Sequence, residues 1–328
     1  MLSNFLSQRN NQILKKLLLN RNYIAVLSDG IITVQRIFKM NRGNEKTKIP
    51  LDMDNDIIEH GLISCFIVSE DFLIYGTEHG IIAFYHFETS SILTECTYQH
   101  GQRVERIISN NFGTSVVFVD KIGNGFFLDP NTCEIYDTPD FPKDCCDLFW
   151  DTGEPSIFFA SDFDSQLHTF VITYVSIRGL SIVKYGSVHI DDNSAVTIIP
   201  RSFSIDPDLL PIMAFGGRIV CQSKENGQVQ TISSPSCDII SNVDEDPIVS
   251  FCRFLSLNKL EKVWKIALDK SFDQKKMKAL ANKAMEVLDI ILTMQVFASI
   301  GDAGVVFSLE ELRWVEDIAT GNKNGNLD

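Results

Sequence analysis

The chain carries none of the compact signatures by which common active sites are recognised. There is no G-x-x-x-x-G-K-[ST] phosphate loop, no H-E-x-x-H metal helix and no G-x-S-x-G nucleophile turn, which sets aside the chemistries those spacings serve. The eight cysteines contain no C-x-x-C pair and no regular framework spacing, so neither a zinc cluster nor a disulfide scaffold is indicated. No apolar run is long enough to span a bilayer as a helix, because Thr293, Gln295 and Ser299 interrupt the stretch from Ile290 to Ile300. The apolar clusters of Phe5 to Leu19 are broken by Arg9, Lys15 and Lys16 and precede no small-residue cleavage site, so no signal peptide is expected. Without one, the thiols are expected to be reduced, as in the cytosol, and mostly small core residues. Positive charge is also scarce. Lys and Arg number 29 against 43 Asp and Glu, a net charge of −14, and a nucleic-acid partner is not expected without a basic footprint.

What the chain does have is a repeated hairpin. Phe72–Thr77 turns at Glu78-His79-Gly80 into Ile81–Tyr85, Val116–Asp120 turns at Gly123-Asn124-Gly125 into Phe126–Leu128, and Ile157–Ser161 turns at Phe163-Asp164-Ser165 into Gln166–Phe170. Each pairs two apolar strands across a Gly, Asn, Asp or Ser turn. The turns recur at about 40–45 residues, the spacing of four-stranded propeller blades. Two further hairpins extend the series, Tyr23–Leu27 with Ile31–Val34 across Asp29-Gly30, and Arg218–Cys221 with Val229–Ile232 across Asn226-Gly227. The interval between Asp164 and Asn226 has room for a divergent blade near Tyr185-Gly186, giving five or six blades and a ring that is expected to stay open at one side. The 23 Phe residues suit stacked sheets. Trp150-Asp151 is the only Trp-Asp dipeptide, so the blades are degenerate.

Near Ser233 the period changes. Ser233-Ser234-Pro235-Ser236 and Asp244-Glu245-Asp246-Pro247 read as linker. From Leu257 the apolar spacing is helical: Leu260, Val263, Trp264 and Ala267 form one face, and Ser271 with Gln274 predicts the cap of a second helix. A third is predicted from about Glu286 to Ile300 with Gly301 as its stop, and Ser308 with Glu311 caps a fourth. The expected division is 1–22 without an assigned blade, 23–240 as WD40-like blades, 241–256 as linker, 257–320 as a helical, solenoid-like segment, and 321–328 as a disordered tail. The chain reads as a piece of something longer. Residues 256–320 hold 9 basic and 10 acidic side chains, leaving 20 and 33 elsewhere, a net of −13. An acidic propeller favours basic protein partners or is simply well solvated.

Candidate chemistry is weak throughout. Asp52-x-Asp54-x-Asp56 begins like a calcium loop, but Ile57 and Ile63 stand where Gly and a bidentate Glu are required. His79 and His86 could approach one another, yet no third ligand is placed beside them. The carboxylates Asp191-Asp192 and Asp162/Asp164 fall at turns, where Asp serves the backbone. Gly123-x-Gly125 reads as a hairpin turn. Lys259, Lys262, Lys265, Lys275, Lys276, Lys278 and Lys283 could meet an acidic partner or lipid headgroups, but interspersed acids favour an ordinary solvated helix face. No catalytic, cofactor-binding or metal residue is assigned.

Two blocks carry a family resemblance. Gly113-Thr114-Ser115 through Asp120, with Gly125-Phe126 and Thr138-Pro139-Asp140-Phe141, resembles the second propeller of the WD-repeat protein nineteen family, a subunit of intraflagellar transport complex A. Met285-Glu286-Val287 through Val306, with Ser308-Leu309-Glu310 to Glu316-Asp317, is similar to the start of that family's TPR-like solenoid. The order of blades, seam and helices matches too, over roughly residues 60–320. A first propeller and the body of the solenoid are not in the chain, and residues 1–22 do not read as a blade. The resemblance implies a scaffold without enzymatic activity or cofactor, supporting retrograde ciliary transport, cilium assembly and entry of membrane receptors into cilia. Its implied partners are other complex A subunits and, through the complex, membrane-cargo adaptors and transport motors. Its implied locations are the cilium, basal body and cytoplasm. The readings set against it are a vesicle-coat subunit with the same propeller-then-solenoid order, a propeller enzyme or small-molecule binder, and a fragment too open to function alone. The enzyme reading is disfavoured because the innermost strands read as mostly apolar. It requires three or more ionisable side chains converging on one channel mouth.

Overall fold

A computed structural model describes residues 14–28, 31–37, 46–48, 61–175, 179–190, 196–240, 246–270 and 272–319. It is mostly β, with five blades followed by five helices. Blade 1 is β1 (Leu14–Leu19), β2 (Tyr23–Ser28), β3 (Ile31–Arg36) and β4 (Lys46–Lys48), antiparallel in that order. Blade 2 is β5 (Ile63–Val68), β6 (Phe72–Thr77), β7 (Ile81–His86) and β8 (Ser91–Ile92), with β9 (Tyr98–Gln99) also on β7. Blade 3 is β10 (Val104–Ser109), β11 (Val116–Asp120), β12 (Gly125–Asp129) and β13 (Glu134–Asp137). Blade 4 is β14 (Cys145–Trp150), β15 (Ile157–Asp162), β16 (Gln166–Val175) and β17 (Gly179–Tyr185). The chain then forms a separate hairpin, β18 (Ser187–Ile190) with β19 (Val196–Ile199), and returns as β20 (Ser202–Ser204) to pair with the start of β16. Blade 5 is β21 (Leu209–Phe215), β22 (Arg218–Ser223) and β23 (Val229–Ser233).

All five predicted hairpins form: four are the middle strands of their blades and the fifth is β22–β23, the second and third strands of blade 5; the Asp29-Gly30 turn itself lies outside the described residues. Among the described residues, no sixth blade forms near Tyr185-Gly186. That stretch supplies β17 and the β18–β19 hairpin instead. β1 falls inside residues 1–22, which had no blade assigned, and it is the inner strand of blade 1.

The inner strands share one irregularity. Register shifts occur at Leu14/Lys16, Ile63/Cys65, Val104/Arg106 and Cys145/Asp147, each opposite the last two residues of the second strand, and at Pro211/Met213 of blade 5, two residues further along. A bulge adds local twist to its strand, so the four equivalent bulges give the first four inner strands the same bend. The residues just past those four, Lys16, Cys65, Arg106 and Asp147, are therefore equivalent. Three of the four carry charge, within strands expected to be mostly apolar.

Packing between blades follows the period-2 alternation of β-strands. Ala25, Leu27, Ile32 and Val34 of blade 1 share a core with Phe66, Leu73, Tyr75, Ala83 and Tyr85 of blade 2. The alternate residues of blade 2, Cys65, Ile74, Ile82 and Phe84, pack on Val104, Ile107, Val116 and Phe118 of blade 3. Trp150 of blade 4 meets Phe127 of blade 3 at 6.4 Å between ring centroids. Blade 5 buries Ala214, Ile219 and Cys221 but leaves Leu210, Met213, Phe215 and Val229 exposed on its other face.

The chain divides into two compact units, 1–169 with 202–234, and 170–201 with 235–328. The second contains a helical turn at Cys237–Ile240 and helices α1 (Pro247–Ser256), α2 (Leu260–Asp269), α3 (Gln274–Glu286), α4 (Ile290–Ile300) and α5 (Ala303–Ala319). Each helix packs on the next in sequence, the nearest-neighbour order of a helical array. The caps differ from those expected. α1 occupies most of the 241–256 stretch read as linker, capped by Asp246 with Pro247 in its first turn. α3 is capped by Asp273, whose side chain accepts from Lys276 N; Ser271, the predicted cap, lies outside the described residues. α5 begins at Ala303, where Asp302 accepts from Val305 N at 3.3 Å, while Ser308 sits within the helix and donates to Gly304 O. Gly301, at φ 84°, ends α4 as predicted. Asp289 caps α4 by accepting from Leu292 N at 3.0 Å. Asp289→Ala is expected to cost about 1 kcal/mol, read as earlier hydrogen exchange of Leu292 and Thr293; unchanged protection there contradicts the cap.

Candidate interaction site at the propeller mouth

At one end of the inner strands, hydrogen bonds link successive blades. Asn20 Nδ2 donates to Ser69 O at 2.7 Å and Glu70 O at 3.1 Å, joining blades 1 and 2. Glu70 N donates to Asn111 O at 3.0 Å, joining blades 2 and 3. Asn111 Nδ2 donates to Thr152 O at 3.4 Å, and Thr152 donates from both N and Oγ1 to Ala214 O at 2.9 Å, reaching blade 5. Asn20 Oδ1 also accepts from Asn22 N and Tyr23 N, fixing the amide it presents. Inside this belt lies a cavity of about 500 Å³ whose walls include Asn20, Ile67, Ser69, Ser109, Trp150 and Met213. Residues from all five blades contribute to it. Its ionisable lining is one cation and one acid, Arg21 and Glu70.

The charged residues past the bulges, Lys16, Arg106 and Asp147, are exposed and close enough to interact electrostatically. Lys16 Nζ donates to Phe66 O at 3.3 Å and lies 5.7 Å from the Phe66 ring centroid. Desolvation lowers its pKa, opposed by Cys65 and Asp147 and assisted by Arg106. Cys145, close to Arg106 and Asp147, is pushed up to about 12 by burial. It therefore holds almost no thiolate near neutrality and is a poor nucleophile.

Trp150 and Asp151 have separate structural duties. Trp150 packs at a tilt against Phe127 of blade 3 and Phe158 of its own blade, and donates Nε1–H to Pro155 O at 2.9 Å. Asp151, 2% exposed, receives four backbone N–H groups. Oδ1 accepts from Gly153 and Gly216 at 2.8 Å and Glu154 at 3.0 Å, and Oδ2 accepts from Gly217 at 2.6 Å. Gly216 and Gly217 have φ of 60° and 77°, which aims consecutive N–H groups at one anion. The carboxylate thus ties the end of β14 to the β21–β22 turn of the last blade.

At the other end of the strands, carboxylates organise the β-turns. Asp120 Oδ1 accepts from Ile122 N and Asn124 N at 2.9 Å, and its Oδ2 lies 3.5 Å from His100 Nε2. Asp162 Oδ1 accepts from Gln166 N at 2.8 Å, and Oδ2 meets His168 Nε2 at 2.9 Å. Burial alone pushes the Asp162 carboxyl up, but bonds from His168 and Gln166 N prevail and hold it below the usual carboxylate value. A depressed carboxyl pKa stabilises the fold above the unfolded value and loses that contribution as pH falls through the folded one. Acid titration should therefore erode this turn below about pH 4. Asp162→Asn is expected to cost about 1–2 kcal/mol at pH 7 and to narrow the gap between wild type and variant as pH falls from 5 to 3. A constant gap across that range contradicts the linkage.

The remaining sequence candidates do not converge. His79 and His86 lie at opposite ends of β7, roughly 20 Å apart at a strand rise of ~3.3 Å per residue. His86 instead bonds Thr89 Oγ1 at 3.0 Å. Among the described residues, no group of three or more His, Cys, Asp or Glu could hold a metal ion. Gly123 adopts φ 90° in its turn, and a side chain at Gly125 would strike the Phe141 ring, so both glycines serve the backbone. Lys276 pairs with Asp273 at 3.3 Å and Lys283 with Glu286 at 2.9 Å, while Lys262 lies over Phe254. Asp52, Asp54, Asp56, Asp191 and Asp192 lie outside the described residues. The asparagine belt went unseen in the sequence, because its partners are 40 or more residues apart. The Trp-Asp dipeptide was visible, but not what its carboxylate holds.

The WDR19 second beta-propeller family matches residues 10–233. Human WD repeat-containing protein 19 is 25% identical over 263 residues, 78% of this chain and 18% of that protein. The mouse protein of the same name is 24% identical over 306 residues, 91% of this chain and 21% of its own. The chain thus spans about a fifth of the length of these curated relatives. Among solved structures, Hsv2 of Kluyvelomyces marxianus aligns with a TM-score of 0.43 at 14% identity, covering 68% of this chain and 66% of that one. Kluyveromyces lactis Hsv2p aligns with a TM-score of 0.43 at 13% identity, covering 68% of each. With the family match running from before β1 to the last strand of blade 5, the chain belongs to the WDR19 second β-propeller family.

Proposed function

We propose that the chain is a non-catalytic scaffold subunit of the intraflagellar transport complex A type. It supports retrograde ciliary transport, cilium assembly and receptor entry through protein–protein contacts. The observation that carries this reading is the family match across all five blades. The fold offers the surfaces such work needs: a rigid propeller mouth belted by blade-to-blade hydrogen bonds, and a nearest-neighbour helical array of TPR-like type whose α5 exposes Phe307, Leu312 and Trp314. Neither surface needs a reactive residue. The partners are other complex A subunits, with cargo adaptors and motors reached through the complex, and the protein acts at the cilium and basal body and in the cytoplasm.

The test is affinity recovery of the tagged chain from ciliated cells in mild salt. Complex A subunits should be recovered and coat subunits should not. Recovery of coat subunits in their place transfers the chain to a vesicle-coat role, and recovery of chaperones alone contradicts independent function.

A further inference from the structure

We propose that Cys96 and Cys133 form a redox-responsive disulfide across the seam between blades 2 and 3. Cys96 ends the 3-10 turn Thr94–Cys96 that follows β8, and Cys133 occupies the turn between β12 and β13 with φ 55°. The Cys133 thiol donates to Glu95 O at 3.1 Å, the carbonyl of the peptide that begins Cys96. The Cys133 thiol is therefore held beside the backbone that enters Cys96, on a different blade and 37 positions away in the chain. Both are partly exposed, so a small oxidant can reach them. Cys96 feels its neighbour directly: burial, then the Cys133 thiol and Glu95, push its pKa up.

Five of the other six cysteines are arranged differently. Cys65, Cys221 and Cys252 are buried. Cys145 and Cys146 are adjacent in sequence, but Cys145 Sγ turns to Asp147 O at 3.4 Å and Cys146 Sγ to Asp144 O at 3.7 Å, so the two bond in opposite chain directions.

The oxidant is a hydroperoxide. One thiolate attacks its O–O bond, giving a sulfenic acid and water or alcohol. The second thiol then displaces hydroxide from that sulfur, forming the S–S bond and releasing water. Two electrons pass from the sulfurs to the peroxide, and a cellular dithiol reverses the change. The link would pin the β12–β13 turn to the 3-10 turn and close blade 2 on blade 3.

Hydrogen peroxide treatment of the full chain, thiol blocking and unreduced peptide mapping test this. The expected product is a Cys96–Cys133 linked peptide, lost in both Cys96→Ser and Cys133→Ser and retained in Cys145→Ser. Its rate should rise roughly tenfold from pH 7 to pH 8, because thiolate is the attacking species. In Cys96→Ser, Cys133 should be trapped by a sulfenic-acid reagent, which keeps the test valid without the link. Recovery of both residues as separate sulfinic acids, or as intact thiols while other cysteines oxidise, overturns the proposal.

Discussion

Asp151→Ala lowers stability by about 4 kcal/mol, because four backbone N–H groups lose a charged acceptor in a site with little water to replace it. At about 2–4 °C per kcal/mol for a domain of this size, the melting point falls by about 10 °C. Asp151→Asn recovers part of this, since its carbonyl oxygen can keep the three donors now on Oδ1, but the charge is lost and the amide NH₂ confronts Gly217 N–H. The loss should be greatest in blade 5, whose β21–β22 turn the carboxylate holds, and hydrogen exchange at Gly216 to Ile219 reports it. A loss below about 1 kcal/mol contradicts the clamp.

Phe118→Ala is the second large effect. Phe118 is fully buried in the core shared by blades 2 and 3, stacked at 5.3 Å on Phe126 and edge-on to His100 at 5.1 Å. Truncation leaves a cavity that β-strands fixed by their neighbours cannot refill, for a cost of about 3–5 kcal/mol. Phe112, 59% exposed at the β10–β11 turn, provides the contrast. Phe112→Ala should stay within about 0.5 kcal/mol of wild type. Denaturant midpoints for the two variants separate the seam from the surface, and equal midpoints contradict the packing described.

The parts of the fold legible in the sequence were those whose signal is local. Middle strands such as Phe72–Thr77 and Ile81–His86 are buried on both faces and meet at a turn with Gly, so they read as apolar runs around a breaker. Inner strands were harder because each contains a bulge, which shifts the period by one, and because Lys16, Arg106 and Asp147 place charge among their apolar residues. Outer strands such as Ser91–Ile92 are two residues long and carry almost no pattern. In the helical part, apolar periodicity located α2, α3 and α4, but side-chain caps come from Asp246, Asp273, Asp289 and Asp302, and the Ser308-x-x-Glu311 pattern falls inside α5. Asp246-Pro247 read as a linker because proline breaks helix interiors, yet it is well suited to a first turn.

The mouth of the propeller was less legible still. Its belt uses Asn20, Asn111 and Thr152 against backbone groups of other blades, and an asparagine near a turn looks the same whether it caps its own loop or reaches across to a neighbour. Such contacts exist only after the blades have stacked. The local half of the pattern is all that a sequence displays.

The central claim is that this short propeller-and-helix chain makes assembly contacts of the complex A type. Purified full chain mixed with purified complex A subunits, followed by size-exclusion chromatography with light scattering, tests it directly. The account predicts co-elution at the mass of a stoichiometric complex, reduced in Asp151→Ala in step with the loss of folded protein. Separate elution of a folded, monodisperse chain from every complex A subunit would contradict it.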